Sequence, residues 1–218
     1  GTVGTGAIAI GTNAGISSQG TYAIALGRFS GQSSGNSAVS VGQKAGQSNQ
    51  GNDTVAIGDA AGNTSQGVDS IAIGHESGKT SQGTQSVAIG PNAGKTSQST
   101  QSVAIGYDAG LTSQGSSCTA VGWLAGSTNQ GTLSTAVGRQ AGATSQGTQS
   151  VAVGLGAAQY AQGNSSIAIG LLAGQGTADT GSGYLQSQGA NAVAIGNSAG
   201  LLDQGDNTIA IGNGAGET

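Results

Sequence analysis

Residues Ser86 to Gln101 read SVAIGPNAGKTSQSTQ, and the next sixteen, Ser102 to Ser117, read SVAIGYDAGLTSQGSS. The two align without a gap on the frame S-V-A-I-G-x-x-A-G-x-T-S-Q-G-x-x. A fixed period of this kind is the signature of a repeat architecture, in which each unit buries its apolar face only by stacking on its neighbours. Working outward, the tripeptide Ala/Ser, Ile/Val/Leu, Gly recurs thirteen times, ending at Gly11, Gly27, Gly42, Gly58, Gly74, Gly90, Gly106, Gly122, Gly138, Gly154, Gly170, Gly196 and Gly212. The spacing is 16 except for one step of 15 (Gly27 to Gly42) and one of 26 (Gly170 to Gly196).

Within the unit, S-V-A-I alternates small and β-branched residues with a period of two, the pattern of a strand. Val103 and Ile105 share one face, Ser102 and Ala104 the other. Helix is disfavoured because glycine recurs every few residues, at roughly 1 kcal/mol each in a helix interior. The glycine columns mark corners, and sixteen residues leave room for one further short extended run, A-G-x-T-S-Q. The expected fold is all-β: a parallel β-solenoid, or β-roll, of about thirteen 16-residue coils. The chain reads as a single repeat domain over 1–218, a fragment of a longer array, with residues 175–184 (QGTADTGSGY) inserted as a surface loop.

Stacked coils place identical residues in ladders. Gln50, Gln66, Gln82, Gln98, Gln114, Gln130, Gln146 and Gln162 are expected to link their amides from coil to coil, with Thr64, Thr80, Thr96, Thr112, Thr128 and Thr144 beside them. One Trp, one Phe and four Tyr in 218 residues leave a thin interior to Val, Ile, Leu and Ala. A narrow roll encloses only one of the two strand columns, Val/Ile or Ala/Ser, and the other must meet water or another chain; glutamate at Ala104 and Ala120 would break a trimer if the Ala/Ser column is that face.

Charged residues are 6% of the chain, five basic against nine acidic, too weak a field to gather nucleic acid. No apolar run approaches the roughly 18 residues that cross a bilayer, so no membrane insertion is expected of this segment. One cysteine, Cys118, excludes an intrachain disulfide framework, and it replaces the strand Ser seen at Ser102 and Ser134 as a small packed residue.

The units Ser86-Val-Ala-Ile-Gly90 with Ala93-Gly94 and Ser102-Val-Ala-Ile-Gly106 with Ala109-Gly110 resemble the head repeats of trimeric autotransporter adhesins, and are similar to repeats in fibre proteins of phages and large viruses. The resemblance covers essentially the whole chain. It implies a left-handed parallel β-roll, assembly as a homotrimer, and an extracellular place on a bacterial cell surface, anchored in the outer membrane through another region, or on a virion. It further implies attachment to a host surface protein or glycan. The added T-S-Q-G stretch makes the coil longer than the common adhesin unit.

The two positions after each A-I-G vary most, as in Arg28-Phe29, Lys44, Asp59, His75-Glu76, Tyr107-Asp108, Trp123-Leu124 and Arg139-Gln140. Solvated turns explain such freedom. Tyr107, Trp123 and Arg139, on successive coils, are also candidates for ligand binding, since these residue types most often anchor interfaces. Tyr184, in the insertion, joins them. His75-Glu76 has no second His and no converging carboxylates, so neither a metal site, a cofactor site nor a catalytic site is expected. The paired carboxylates of polysaccharide hydrolysis are equally absent from the pattern. The sequons at Asn52, Asn63 and Asn164 matter only in a glycosylating host. A non-enzymatic adhesive or fibre segment is therefore the leading expectation. The alternatives are an ice-binding β-solenoid and a virion fibre spacer that binds no ligand.

Overall fold

A computed structural model describes residues 2–177 and 187–216. The chain divides between Thr112 and Ser113 into two compact units, and no helix occurs among the described residues. Most of the coils share one plan: an A-I-G strand is followed by a tight turn, a second short strand ending in Gln, and a second turn.

In the first unit the A-I-G strands are Ile8–Ile10, Ile24–Leu26, Val39–Val41, Val55–Ile57, Ile71–Ile73, Val87–Ile89 and Val103–Ile105. They pair parallel and in strict register, with Ile71 beside Val87, Ala72 beside Ala88 and Ile73 beside Ile89. The Gln strands opposite them include Ser48–Gln50, Thr64–Gln66, Thr80–Gln82 and Thr96–Gln98. In the second unit the A-I-G strands are Thr119–Val121, Thr135–Val137, Val151–Val153, Ile167–Ile169, Val193–Ile195 and Ile209–Ile211, facing Thr128–Gln130, Thr144–Gln146 and Tyr160–Gln162. Parallel pairing in both layers is what a coil of two strands and two turns must produce.

The interior decides which of the two strand faces is enclosed. Ala56, Ala72, Ala88, Ala104, Ala120 and Ala136 are all 0% exposed, while Ile57 and Ile105 keep 39% and 37% of their surface. The Val/Ile column therefore points outward and the Ala column inward. The reason is volume. From the opposite layer a Gln side chain crosses the coil, and turn alanines such as Ala45 and Ala61 pack beside Ala56 and Ala72. Room is scarce, and only small side chains fit beside the Gln: a Cβ added at Gly62 would lie 2.4 Å from Gln66 Oε1 and 3.2 Å from Ala56 Cβ.

Burying an amide in every coil is tolerable only if its polar atoms are paired. Gln66 Nε2 donates across the interior to the Val55 carbonyl at 2.9 Å and to the Ser70 carbonyl at 3.2 Å. Gln82, Gln130 and Gln146 repeat the bond to Ile71, Thr119 and Thr135. The amide ladder also exists, through Gln50 to Gln66 at 2.6 Å, Gln130 to Gln146 at 3.1 Å and Gln188 to Gln204 at 3.2 Å. Its primary bond is nevertheless the one across the coil, and the side-chain oxygens of Gln82 and Gln98 receive no donor. Buried strand serines bond back to the preceding turn, as Ser86 Oγ does to the Gly83 carbonyl at 2.6 Å.

The 15-residue step falls on the strand Ser33–Ser34, where Ser34 pairs with Gln19 and takes the Gln position. No amide is there to meet the next glutamine. In the next coil Ser40 replaces the usual Ala, and its hydroxyl donates to Gln50 Oε1 at 2.8 Å. In most full coils the middle residue of the T-S-Q strand is left-handed, with φ of +59° at Ser65 and +56° at Ser81. A left-handed residue breaks the period-two alternation, so Thr80 and Ser81 both face solvent and only Gln82 turns inward.

The A-I-G glycine is fixed by contact with the next coil. At Gly58, φ is +129° and a Cβ would sit 2.7 Å from the Gly74 carbonyl oxygen. A side chain there would push the coils apart.

Candidate functional site

Two surfaces of the coil carry features that the interior does not need. The first is the outward Val/Ile column of the A-I-G strands. Contiguous apolar surface of this kind is uncommon on an isolated soluble chain and marks an interaction face. Here the aliphatic pair recurs on every A-I-G strand of the first unit, and charged side chains are absent from it.

The second surface is the turn after A-I-G. Its second position adopts a left-handed backbone, as at Glu76 (φ +55°), Asp108 (+54°) and Leu124 (+57°). Side chains at the first turn position such as Tyr107, Trp123, Leu155 and Leu171 are exposed. In the first unit this turn holds the charged network. Glu76 receives Lys79 Nζ at 2.5 Å and, from the next coil, Lys95 Nζ at 2.6 Å. These bonds, from Lys79 first and Lys95 second, draw the Glu76 carboxyl from 4.5 down to about 2. His75 Nε2 lies 3.9 Å from Asp59 Oδ2 with both side chains largely in water. Among the described residues no group of three or more His, Cys, Asp or Glu is placed to hold a metal ion.

In the second unit the same turn brings together two of the residues singled out from sequence. The Arg139 guanidinium lies over the Trp123 ring, 4.5 Å from its centroid, and Gln140 N donates to the Trp123 carbonyl at 2.8 Å. Stacking of this kind holds the guanidinium in place while leaving its in-plane N–H groups free for a carboxylate. Among the described residues Arg139 forms no ion pair. Leu155 and Leu171 occupy the same turn position on the next two coils, and both are exposed. Sequence reasoning passed over Leu155, although the same spacing that selected Arg139 leads to it. Tyr107 is exposed at this turn position in the first unit. Tyr184 lies outside the described residues, as does most of the insertion. Cys118 is buried, with its Sγ 2.8 Å from the Gly131 carbonyl and 3.6 Å from Ser134 Oγ.

Three stretches, residues 3–30, 65–93 and 130–157, match the family model of the YadA head domain repeat, which spans two copies of the repeat. These stretches are similar to YadA head repeats. Together the matched stretches cover under half of it and fall in both units, and the unmatched coils keep the same strand and glycine columns. The similarity to YadA head repeats suggests an adhesin-like structural role. No curated protein and no solved structure matches the chain. Among the described residues no helix is long and apolar enough to cross a membrane.

Proposed function

We propose that this chain is an adhesive or fibre segment displayed outside the cell or virion that makes it, and that it assembles as a parallel homotrimer through the outward Val/Ile column. The single observation behind this reading is the orientation of that column. The interior is already filled by Ala, Ser and Gln, so the largest aliphatic side chains of the coil have no role within it. In-register association of identical coils removes them from water, at roughly 25 cal/mol per Å² of apolar surface buried, and closed symmetry protects the face from open-ended aggregation. The similarity to YadA head repeats supports the same assembly.

The turn edge then faces the outside world. In the second unit Trp123 with Arg139 offers an aromatic plate and a fixed cation suited to a carboxylate on a host surface glycan or protein; in the first unit Tyr107 offers an aromatic contact of its own. Enzymatic activity has no part in this reading.

Sedimentation equilibrium at micromolar concentration tests the assembly, with three times the chain mass expected and a monomer mass refuting it. Binding of labelled chain to host cells or matrix tests the adhesive role. The double variant Trp123→Ala, Arg139→Ala is expected to keep its mass and lose binding, and undiminished binding would remove those residues from the contact.

A further inference from the structure

We infer that Thr119 and Thr135 set the register in which copies of the chain meet. The inference rests on the proposed assembly through the Val/Ile column. A column that repeats every coil has a slip problem: sliding one copy by a single coil, about 4.8 Å, lays the same aliphatic residues against one another again. The Ala, Ser and Gln interior cannot prevent this, because it never reaches a partner.

The column itself carries one departure. The residue that opens the A-I-G strand is Ile8, Ile24, Val39, Val55, Ile71, Val87 and Val103 in the first unit, and Val151, Ile167, Val193 and Ile209 in the second. Only Thr119 and Thr135 are polar at this position, on adjacent coils and in register with each other. The strand is otherwise unchanged, with Ala120 and Ala136 fully buried and Val121 and Val137 completing it. Neither threonine hydroxyl has a hydrogen-bond partner among the described residues. The inward serine beside them is satisfied, Ser134 Oγ donating to the Gly131 carbonyl at 2.5 Å. The two hydroxyls are thus unpaired groups on an otherwise aliphatic strip.

In aligned copies Thr119 meets Thr119 and Thr135 meets Thr135, and the hydroxyls pair across the interface. Shifted by one coil, one threonine of each copy lies against an aliphatic side chain with its hydroxyl stripped of water and unpaired, which penalises the slipped state. A single polar residue in a coiled-coil seam selects register in the same way.

Cross-linking in the full chain tests this. With Cys118→Ser to remove the native thiol, Val151→Cys and Ile167→Cys are made as separate chains, mixed under denaturing conditions, refolded together and oxidised. Chains that keep both threonines should give 151–151 and 167–167 cross-links with few 151–167 products. Adding Thr119→Val and Thr135→Val should leave the mass unchanged and raise the 151–167 products on the order of tenfold, while Thr119→Ser and Thr135→Ser should retain the single register. A trimer that keeps one register after both valine changes overturns the role of the threonines and leaves the assembly standing. A monomer mass for the threonine-bearing chain overturns the assembly and this inference together.

Discussion

Ser40 donates its hydroxyl to Gln50 Oε1 at 2.8 Å, and the pair closes the end of an amide ladder that the short coil interrupts. Serine stands there in place of the usual interior alanine because its neighbour Ser34 cannot supply an amide. Ser40→Ala should leave a buried carbonyl oxygen without a donor and lower stability by about 1–3 kcal/mol. Urea unfolding followed by circular dichroism would measure it, and a loss below a few tenths would contradict the assigned bond.

The inversion of the two strand faces separates folding from assembly. Ala88, at 0% exposure, has no room for a carboxylate, so Ala88→Glu should abolish cooperative melting. Its neighbour Ile89 points outward. Ile89→Glu should preserve the circular dichroism spectrum and reduce the particle mass. If both variants lost the fold alike, the inside and outside assigned to this strand would be wrong.

Glu76 ties two coils of the first unit together through Lys79 and Lys95. Its folded pKa, about 2, lies below the ordinary 4.5, so the carboxylate is the form that folding favours. The contribution is complete above the ordinary pKa and is lost as pH falls from there toward 2. Melting of Glu76→Gln should therefore depend less on pH between 5 and 2 than that of the parent chain. The difference should also shrink in high salt, where exposed charges are screened.

Leu133 is a largely exposed leucine held at φ +58°. A β-carbon in that region costs roughly 1 kcal/mol, and asparagine tolerates it better than leucine. Leu133→Asn should raise the melting temperature by a few degrees in a scanning calorimetry comparison, and a lowered value would show that the leucine makes a contact worth more than the strain.

The coil, its two strands and the corner glycines were legible because each depends on spacing alone, and spacing is preserved from coil to coil. The neighbourhood of Trp123 and Arg139 was legible for the same reason, since residues sixteen apart must stack. The inward face was not. Val103, Ile105, Ala104 and Ser102 are all compatible with burial, and the choice depends on the Gln that enters from the opposite layer, a distance across the coil that no local pattern encodes. The outward turn of Thr80 and Ser81 was hidden for a different reason. Alternation assumes an extended backbone, and a serine at φ +56° gives no warning by its residue type.

Because the interior is the same small set of side chains in nearly every coil, one coil can be duplicated or deleted by recombination without a matching change elsewhere. The turn residues carry no such obligation to one another. Evolution can therefore rewrite what each coil displays one position at a time, treating the array as a row of interchangeable mounts whose contents are selected separately from the frame that holds them.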